Sequence, residues 1–356
     1  MKSSDLIQWL LRNAGPVIRY RTLVGIVNEQ DVGLVGQALR DMLETPQVVD
    51  WLEKLRPGFE LNSLHSGNPN SFENVMGKLV LLGLRAGLQP FDNKTLPFRV
   101  WLADFDEDSS EFPFTVFRQS IVASFLSYAG YGTTRPVAEF LKSRLESLYS
   151  FACKPDFESI YVDKSEFRGI PKSYDKHRLV NPVLYQEQKF VLPWIHDIRG
   201  ISCCDDIMKT PHLREKAESV IDFILKDEYQ SLPWSYGIAQ YAGRYYVIGW
   251  AVHLPGYRSM PEKREFAEML LTLEMVARFK RARKSRWFLD ALDYLEHFRT
   301  QKGTYLFPRA WLPEKKVGYW VGGLYMGLEK NRREAQSIEL ESTFWVLWIK
   351  HLAGLL

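Results

Sequence analysis

Apolar residues recur at helical spacing along most of the chain. From Trp287 they fall at Trp287, Phe288, Ala291, Leu292, Leu295 and Phe298, a single stripe on one helix face. A second stripe runs through Leu213, Ala217, Val220, Ile221, Ile224 and Leu225. Its start is marked by Thr210, a residue type that caps free amides, and by Pro211, whose missing N–H costs nothing at a first helical position. The same Thr-Pro pair stands at Thr45-Pro46, and Pro136 and Pro261 head two further periodic runs. Further helices are expected over 5–13, 32–44, 72–88, 114–128, 137–149, 193–204, 262–279 and 338–352.

Alternating strand patterns are scarce. The best strand candidate is Tyr245 to Leu254, between Gly243 and Pro255, which reads as part of a short hairpin or as a buried helix. Two stretches lack periodicity: Ser150 to Gln188, and Lys302 to Arg333 with its seven glycines and prolines. Long loops inside a helical fold often line pockets. No Ser/Gly/Pro linker or low-complexity tract interrupts the pattern. The expectation is therefore an all-α fold of helical hairpins in one domain, 1–356, with room for a short β-hairpin in a loop.

Composition narrows the function classes. The formal net charge is +3, with 46 basic and 43 acidic residues, which speaks against a dedicated nucleic-acid binder. Only Cys153, Cys203 and Cys204 carry thiols, without the spacing of a disulfide framework or structural zinc site. The first residues lack a signal-peptide core, and no apolar run reaches the roughly 18 residues of a transmembrane helix. A cytoplasmic location is the simplest expectation. The aromatic fraction, 14%, is high enough both to fill a core and to line a pocket.

Several groups can carry chemistry. Asp104, Asp106, Glu107, Asp108 and Glu111 form an acidic cluster. Buried, such carboxyls repel one another and one retains its proton, as an acid catalyst requires; exposed, they form a solvated loop. Asp197 shares a helix face with Trp194 at i, i+3 spacing and is either a base or cation ligand beside a stacking wall, or a helix-start acid beside a core tryptophan. Glu339 and Glu341 precede Phe344-Trp345 and either enter a cavity or serve as first-turn acids. Tyr174, Tyr236, Trp250, Trp311 and Trp320, with Trp194, are the candidate ligand-binding aromatics; Tyr245 and Tyr246 belong to the same loop set, interleaved with glycines. Such rings stabilise cations or stack on sugars, and they equally serve as core. No HExxH, GxSxG or phosphate-binding glycine loop occurs. The basic run from Arg278 to Arg286 fits a phosphate or acidic partner, or a solvated helix end.

Gln301, Gly303 and Tyr305, followed by Glu341-Ser342-Thr343-Phe344-Trp345, resemble the turn and inner-helix start of the terpene cyclase and protein prenyltransferase superfamily, over about the last 60 residues. The run from Asp5 to Leu10, Tyr20-Arg21-Thr22, the run from Phe167 to Lys172 and Leu192-Pro193-Trp194-Ile195 extend the resemblance to bacterial prenyltransferase-like and squalene-cyclase-like proteins. The resemblance implies an α/α toroid and a hydrophobic, isoprenoid-like ligand in an aromatic, acid-lined cavity. Asp104, Asp106, Asp197 and Glu341 would be the acids, and Mg²⁺ would be required if a diphosphate were the substrate. There are departures. The segment Asp104-Phe105-Asp106-Glu107-Asp108 carries Glu where a cyclase motif ends in Asp, and Asp205-Asp206 lacks a third carboxylate. The alternatives are a carbohydrate-active α/α barrel and a non-catalytic binding or scaffold protein.

Overall fold

In the computed structural model, which describes residues 2–105 and 114–356, the periodic segments fold as helices and the hairpin signal as a small sheet. The stripe from Trp287 lies on Arg286–Glu296, whose Ser285 cap accepts a hydrogen bond from the Phe288 N–H. The stripe from Leu213 lies on Pro211–Ile224. Its Thr210 occupies the cap position in extended conformation but makes no side-chain cap bond. Thr45 and Thr134, before Pro46 and the Arg135–Ala152 helix, turn their hydroxyls backward to the Met42 and Tyr131 carbonyls, each 2.7 Å away. Proline at one of the first two positions of these helices leaves one orphan donor fewer at the helix start, and the threonine hydroxyl closes the preceding turn instead.

Glycine sets the ends of two helices. The helix expected to reach residue 88 stops at Leu81, because Gly83 and Gly87 take φ of 107° and 94°, outside the helical region. Phe114–Leu126 passes into a wider turn that breaks at Gly130, φ 99°.

Two compact units divide the chain. One comprises 1–96 and 255–356, the other 97–254; the second begins at Pro97, inside the helix Gln89–Ala103. In the first, Ala335–Ala353 packs against Ser3–Asn13 and Lys263–Val276, and its apolar length, including Phe344 and Trp345, is buried. Phe72–Leu81 is buried on every side. Its Gly77 lies so close to the Trp320 indole that an added Cβ would stand 2.3 Å from the ring. In the second unit, Ile195–Cys203 packs on Phe114–Leu126 and Arg135–Ala152. Gly200 permits that approach, since a Cβ there would meet Leu141 at 2.8 Å and the Ser124 backbone at 3.0 Å.

The second unit also carries the sheet: β1 (Tyr161–Val162), β2 (Leu179–Val180), β3 (Gly237–Tyr241) and β4 (Arg244–Ile248), in the order β1-β2-β3-β4. β2 and β3 are parallel; the other pairs are antiparallel. Ala242 and Gly243, φ 49° and 74°, join β3 to β4 with the positive dihedrals that a two-residue hairpin turn demands. The strand expected over 245–254 therefore ends at Ile248, and its partner precedes it at 237–241. Beyond Gly249 the chain leaves the ladder at Trp250, which takes φ 66°. Among the described residues no helix is long and apolar enough to cross a membrane.

Gly77→Ala is expected to lower stability by about 1–3 kcal/mol, because the Trp320 ring must move out of a filled core. A melting curve matching that of the parent protein would show that the ring has room.

Candidate functional site

The helix Arg135–Ala152 presents an apolar stripe through Leu141, Leu145 and Leu148, and Arg144 lies buried along it. A buried cation must be paired. Its Nε donates to Asp197 Oδ1 at 3.1 Å and its Nη2 to Oδ2 at 2.7 Å, while Nη1 donates to the Phe190 carbonyl at 2.6 Å. Asp197 also accepts from the Ser120 hydroxyl and, at 3.0 Å, from the Trp194 N–H at the start of its own helix. Both carboxylate oxygens are thus occupied, and Asp197 has no exposed surface. It serves as a helix-start acid and as an ion-pair partner in one position.

Aromatic rings surround that pair. The Arg144 guanidinium lies 5.2 Å from the Trp194 ring centre, and Trp194 stacks on Phe190 at 4.9 Å. Tyr236 meets Phe190 edge-on and donates its hydroxyl to the Pro193 carbonyl at 2.6 Å. The Tyr229 hydroxyl is 2.6 Å from that of Tyr236 and accepts from the Val252 N–H. Burial raises the pKa of both phenols, so they remain neutral hydrogen-bonding groups. Trp194 and Tyr236 are buried within this network. Trp250 is half-buried and packs edge-on against the exposed Trp234 at 4.9 Å.

Tyr174 is placed differently. It lies with Tyr245 and Tyr246 on the wall of an open groove of about 370 Å³, completed by Gly169, Pro171, Ser173, Gly243 and Arg244. The hairpin turn and the start of β4 form one side of it. Tyr245 packs with Leu179 and Ile238, and its hydroxyl donates to the Arg168 carbonyl at 2.8 Å, fixing the overlying segment. Lys164 holds the same segment from its far end, through the Tyr174 and Asp175 carbonyls at 3.1 and 2.8 Å. Gly169 and Gly243 adopt positive φ with nothing within 4 Å of an added Cβ, so backbone borders open space at both.

The other unit holds the remaining expected residues. Glu341 has no exposed surface; its Oε1 accepts from the Leu328 and Glu329 N–H groups at 2.7 and 2.8 Å, and both of its oxygens accept from Arg332. Glu339 pairs with the Thr304 hydroxyl. Trp320 is buried against Gly77, and Trp311 packs on Phe266 and Phe298 at 5.1 and 5.6 Å. Asp104 is exposed at the end of the helix Gln89–Ala103. Asp106, Glu107, Asp108 and Glu111 lie outside the described residues.

Three further polar groups emerge only from the folded chain. Lys78 is fully buried; its ammonium donates to both Glu314 oxygens, at 3.1 and 2.9 Å, and to the carbonyls of Tyr325 and Gly327. Burial lowers its pKa, and Glu314 acts against that shift. Nδ1 of His65 is paired with the buried Glu73, and the His65 ring lies 4.9 Å from that of Tyr319. Arg144 is the third. A charged residue on an otherwise apolar stripe was the available signal for Arg144 and Lys78. His65 and Glu73, eight residues apart, carry no comparable signature.

The structure therefore joins Asp197, Trp194 and Tyr236 in one buried network, places Tyr174 at a groove, and sets Glu341, Trp311 and Trp320 in the other unit. Comparison with protein-family models, curated proteins and solved structures finds no match.

Asp197→Ala is expected to cost about 3–5 kcal/mol, since it strands Arg144 as a buried charge without its carboxylate. Urea unfolding followed by tryptophan fluorescence measures this. A loss below about 1 kcal/mol would remove the structural role assigned to the pair.

Proposed function

We propose that the protein binds a small ligand with an apolar face, of the isoprenoid-like class, in the groove formed by Tyr174, Tyr245, Tyr246 and Arg244. The observation that carries this reading is the convergence of three tyrosines and two open glycines on one groove of about 370 Å³. That volume falls in the lower range of small-molecule sites, which combine aromatic walls with a few polar groups. An α/α toroid of helical hairpins is the scaffold in this proposal, and the helical content of both units supports it.

Binding is preferred to turnover because of the acids. Asp197 and Glu341 accept hydrogen bonds on both oxygens from an arginine, backbone amides or a hydroxyl. A substrate would have to displace those donors before either carboxylate could act on it.

A carbohydrate ligand is the second reading, and one observation favours it: Ser173 and Arg244 supply polar groups beside the tyrosines. Sugars present apolar ring faces to aromatics and hydroxyls to such donors.

Calorimetric titration with farnesol and with maltotriose separates the two. Binding of farnesol, weakened roughly tenfold by Tyr174→Ala, is the expected result. Binding of maltotriose alone, with the same sensitivity, would select the carbohydrate reading. Binding of either probe unaffected by Tyr174→Ala and Arg244→Ala would move the site elsewhere, and binding of neither would reject both ligand classes.

A further inference from the structure

The four-stranded sheet ends on β4, and the ladder shows which way each β4 residue faces. Ile238 of β3 donates its N–H to the Arg178 carbonyl at 2.8 Å, on the β2 side. Gln240 of β3 likewise turns both backbone groups away from β4: its N–H and its carbonyl meet the Tyr185 hydroxyl at 3.2 and 3.3 Å. The residues opposite these two are Val247 and Tyr245. In an antiparallel ladder, residues alternate between pairs that exchange hydrogen bonds and pairs that do not. Ile238–Val247 and Gln240–Tyr245 are the non-bonded pairs, so the N–H and C=O groups of Tyr245 and Val247 point to the outer edge. Among the described residues, no backbone hydrogen bond across that edge meets them.

Strand β4 itself contains no proline, no lysine and no inward-pointing charge. Natural edge strands are blunted by proline, lysine or an inward charge. β4 reads Arg244-Tyr245-Tyr246-Val247-Ile248, with its one charge at the turn. Val247 is 43% exposed, and Trp234, which lies beside Gly249 just past the strand, is 52% exposed.

We propose that β4 pairs with β4 of a second copy of this chain, antiparallel and centred on Tyr246, joining two four-stranded sheets into one. The occupant follows from the strand's own pattern. A two-fold axis through Tyr246 sets Tyr245 opposite the partner's Val247 and Val247 opposite the partner's Tyr245. These are the positions whose backbone groups face outward, so each pair exchanges both of its bonds. The side-chain pairs are aromatic with β-branched at two positions and aromatic with aromatic at the centre, combinations that stabilise antiparallel sheets. Arg244 lies opposite the partner's Ile248, and the two arginines stand at opposite ends, about 14 Å apart along the strands, so like charges do not meet. Pairing takes the exposed Val247 off the open edge and sets it beside the partner's strand. Arg244, Tyr245 and Tyr246 border the groove as well, so pairing and a groove ligand draw on the same strand, whereas Val247 does not line the groove and reports on the pairing alone.

Sedimentation velocity of the full chain over a wide concentration range tests the pairing, with V247P and V247K as variants. Proline at 247 removes an outward N–H and leaves the β3–β4 bonds in place; lysine keeps the backbone and sets a charge against the partner's Tyr245. The expected result is a wild-type dimer whose dissociation constant rises roughly a hundredfold in each variant, while circular dichroism stays unchanged. The Tyr245 and Val247 amides should exchange with solvent more slowly as wild-type concentration rises. If V247P fails to fold, V247K and the exchange data decide. A wild-type monomer at every concentration overturns the proposal, as does a dimer indifferent to both variants. A monomer that instead captures a β-strand peptide at this edge assigns the edge to another occupant and overturns self-pairing equally.

Discussion

A buried cation has to be surrounded by acceptors, and in each unit that requirement fastens irregular chain to a helix. Lys78 projects from Phe72–Leu81 into the stretch with seven glycines and prolines, and binds Glu314 and the carbonyls of Tyr325 and Gly327 within it. Arg332 and Glu341 tie the same stretch to Ala335–Ala353. Arg144 does the equivalent work in the other unit, holding the Phe190 carbonyl and Asp197 and so fixing the entry into Ile195–Cys203. Segments of this length without regular structure have few backbone partners of their own. Charged side chains carried on helices supply them, and the loops become parts of the fold.

The same contacts determine where the aromatics go. Once Phe190 is held by Arg144, Trp194 stacks on it and the Tyr229–Tyr236 hydroxyl pair closes against Pro193. Tyrosine buries well only if its hydroxyl finds a partner, and here each finds one. The groove tyrosine Tyr245 meets the same requirement, but in different surroundings. Tyr245 satisfies its hydroxyl at the Arg168 carbonyl, and backbone beside it borders open space at Gly169 in the overlying segment and at Gly243 in the hairpin turn. Rings and backbone therefore reach solvent together at this place, while most other aromatics singled out from the sequence are packed away.

The helices were legible because burial of one face enforces a period, and the stripes from Leu213 and Trp287 lie where that period places them. What escaped reading was set by tertiary contact. The helix from Phe72 stops at Leu81 because Gly83 takes a positive φ beside Tyr20 and Arg21, residues far away in sequence. Strand β3 is short, carries Gly237 and Ala239, and has β-character only when β2 and β4 flank it. At the candidate site, the pairing of Asp197 with Trp194 followed from helical spacing. Its stronger partner, Arg144, lies 53 residues away, and no local period connects the two. Trp311 and Trp320 look like Tyr174 in the sequence, since each is an aromatic among glycines and prolines. Trp320 is buried, Trp311 is half-buried against Phe266 and Phe298, and Tyr174 borders the groove; what packs against each ring decides this.

Burial also weighs on the choice between chemistry and recognition. An acid catalyst needs a carboxyl that a substrate can reach, with donors arranged so that the proton has somewhere to go. Asp197 and Glu341 meet neither condition, because arginine, amide and hydroxyl donors occupy their oxygens. Releasing either carboxylate would leave Arg144 or Arg332 without its principal counter-charge, and for the buried Arg144 that cost is a large fraction of the stability of an ordinary domain. The groove makes no such demand. Its partly exposed Tyr174 and Tyr246 and the exposed Arg244 can be reached without breaking a buried ion pair, so a ligand can be held there while the network that organises the fold stays intact.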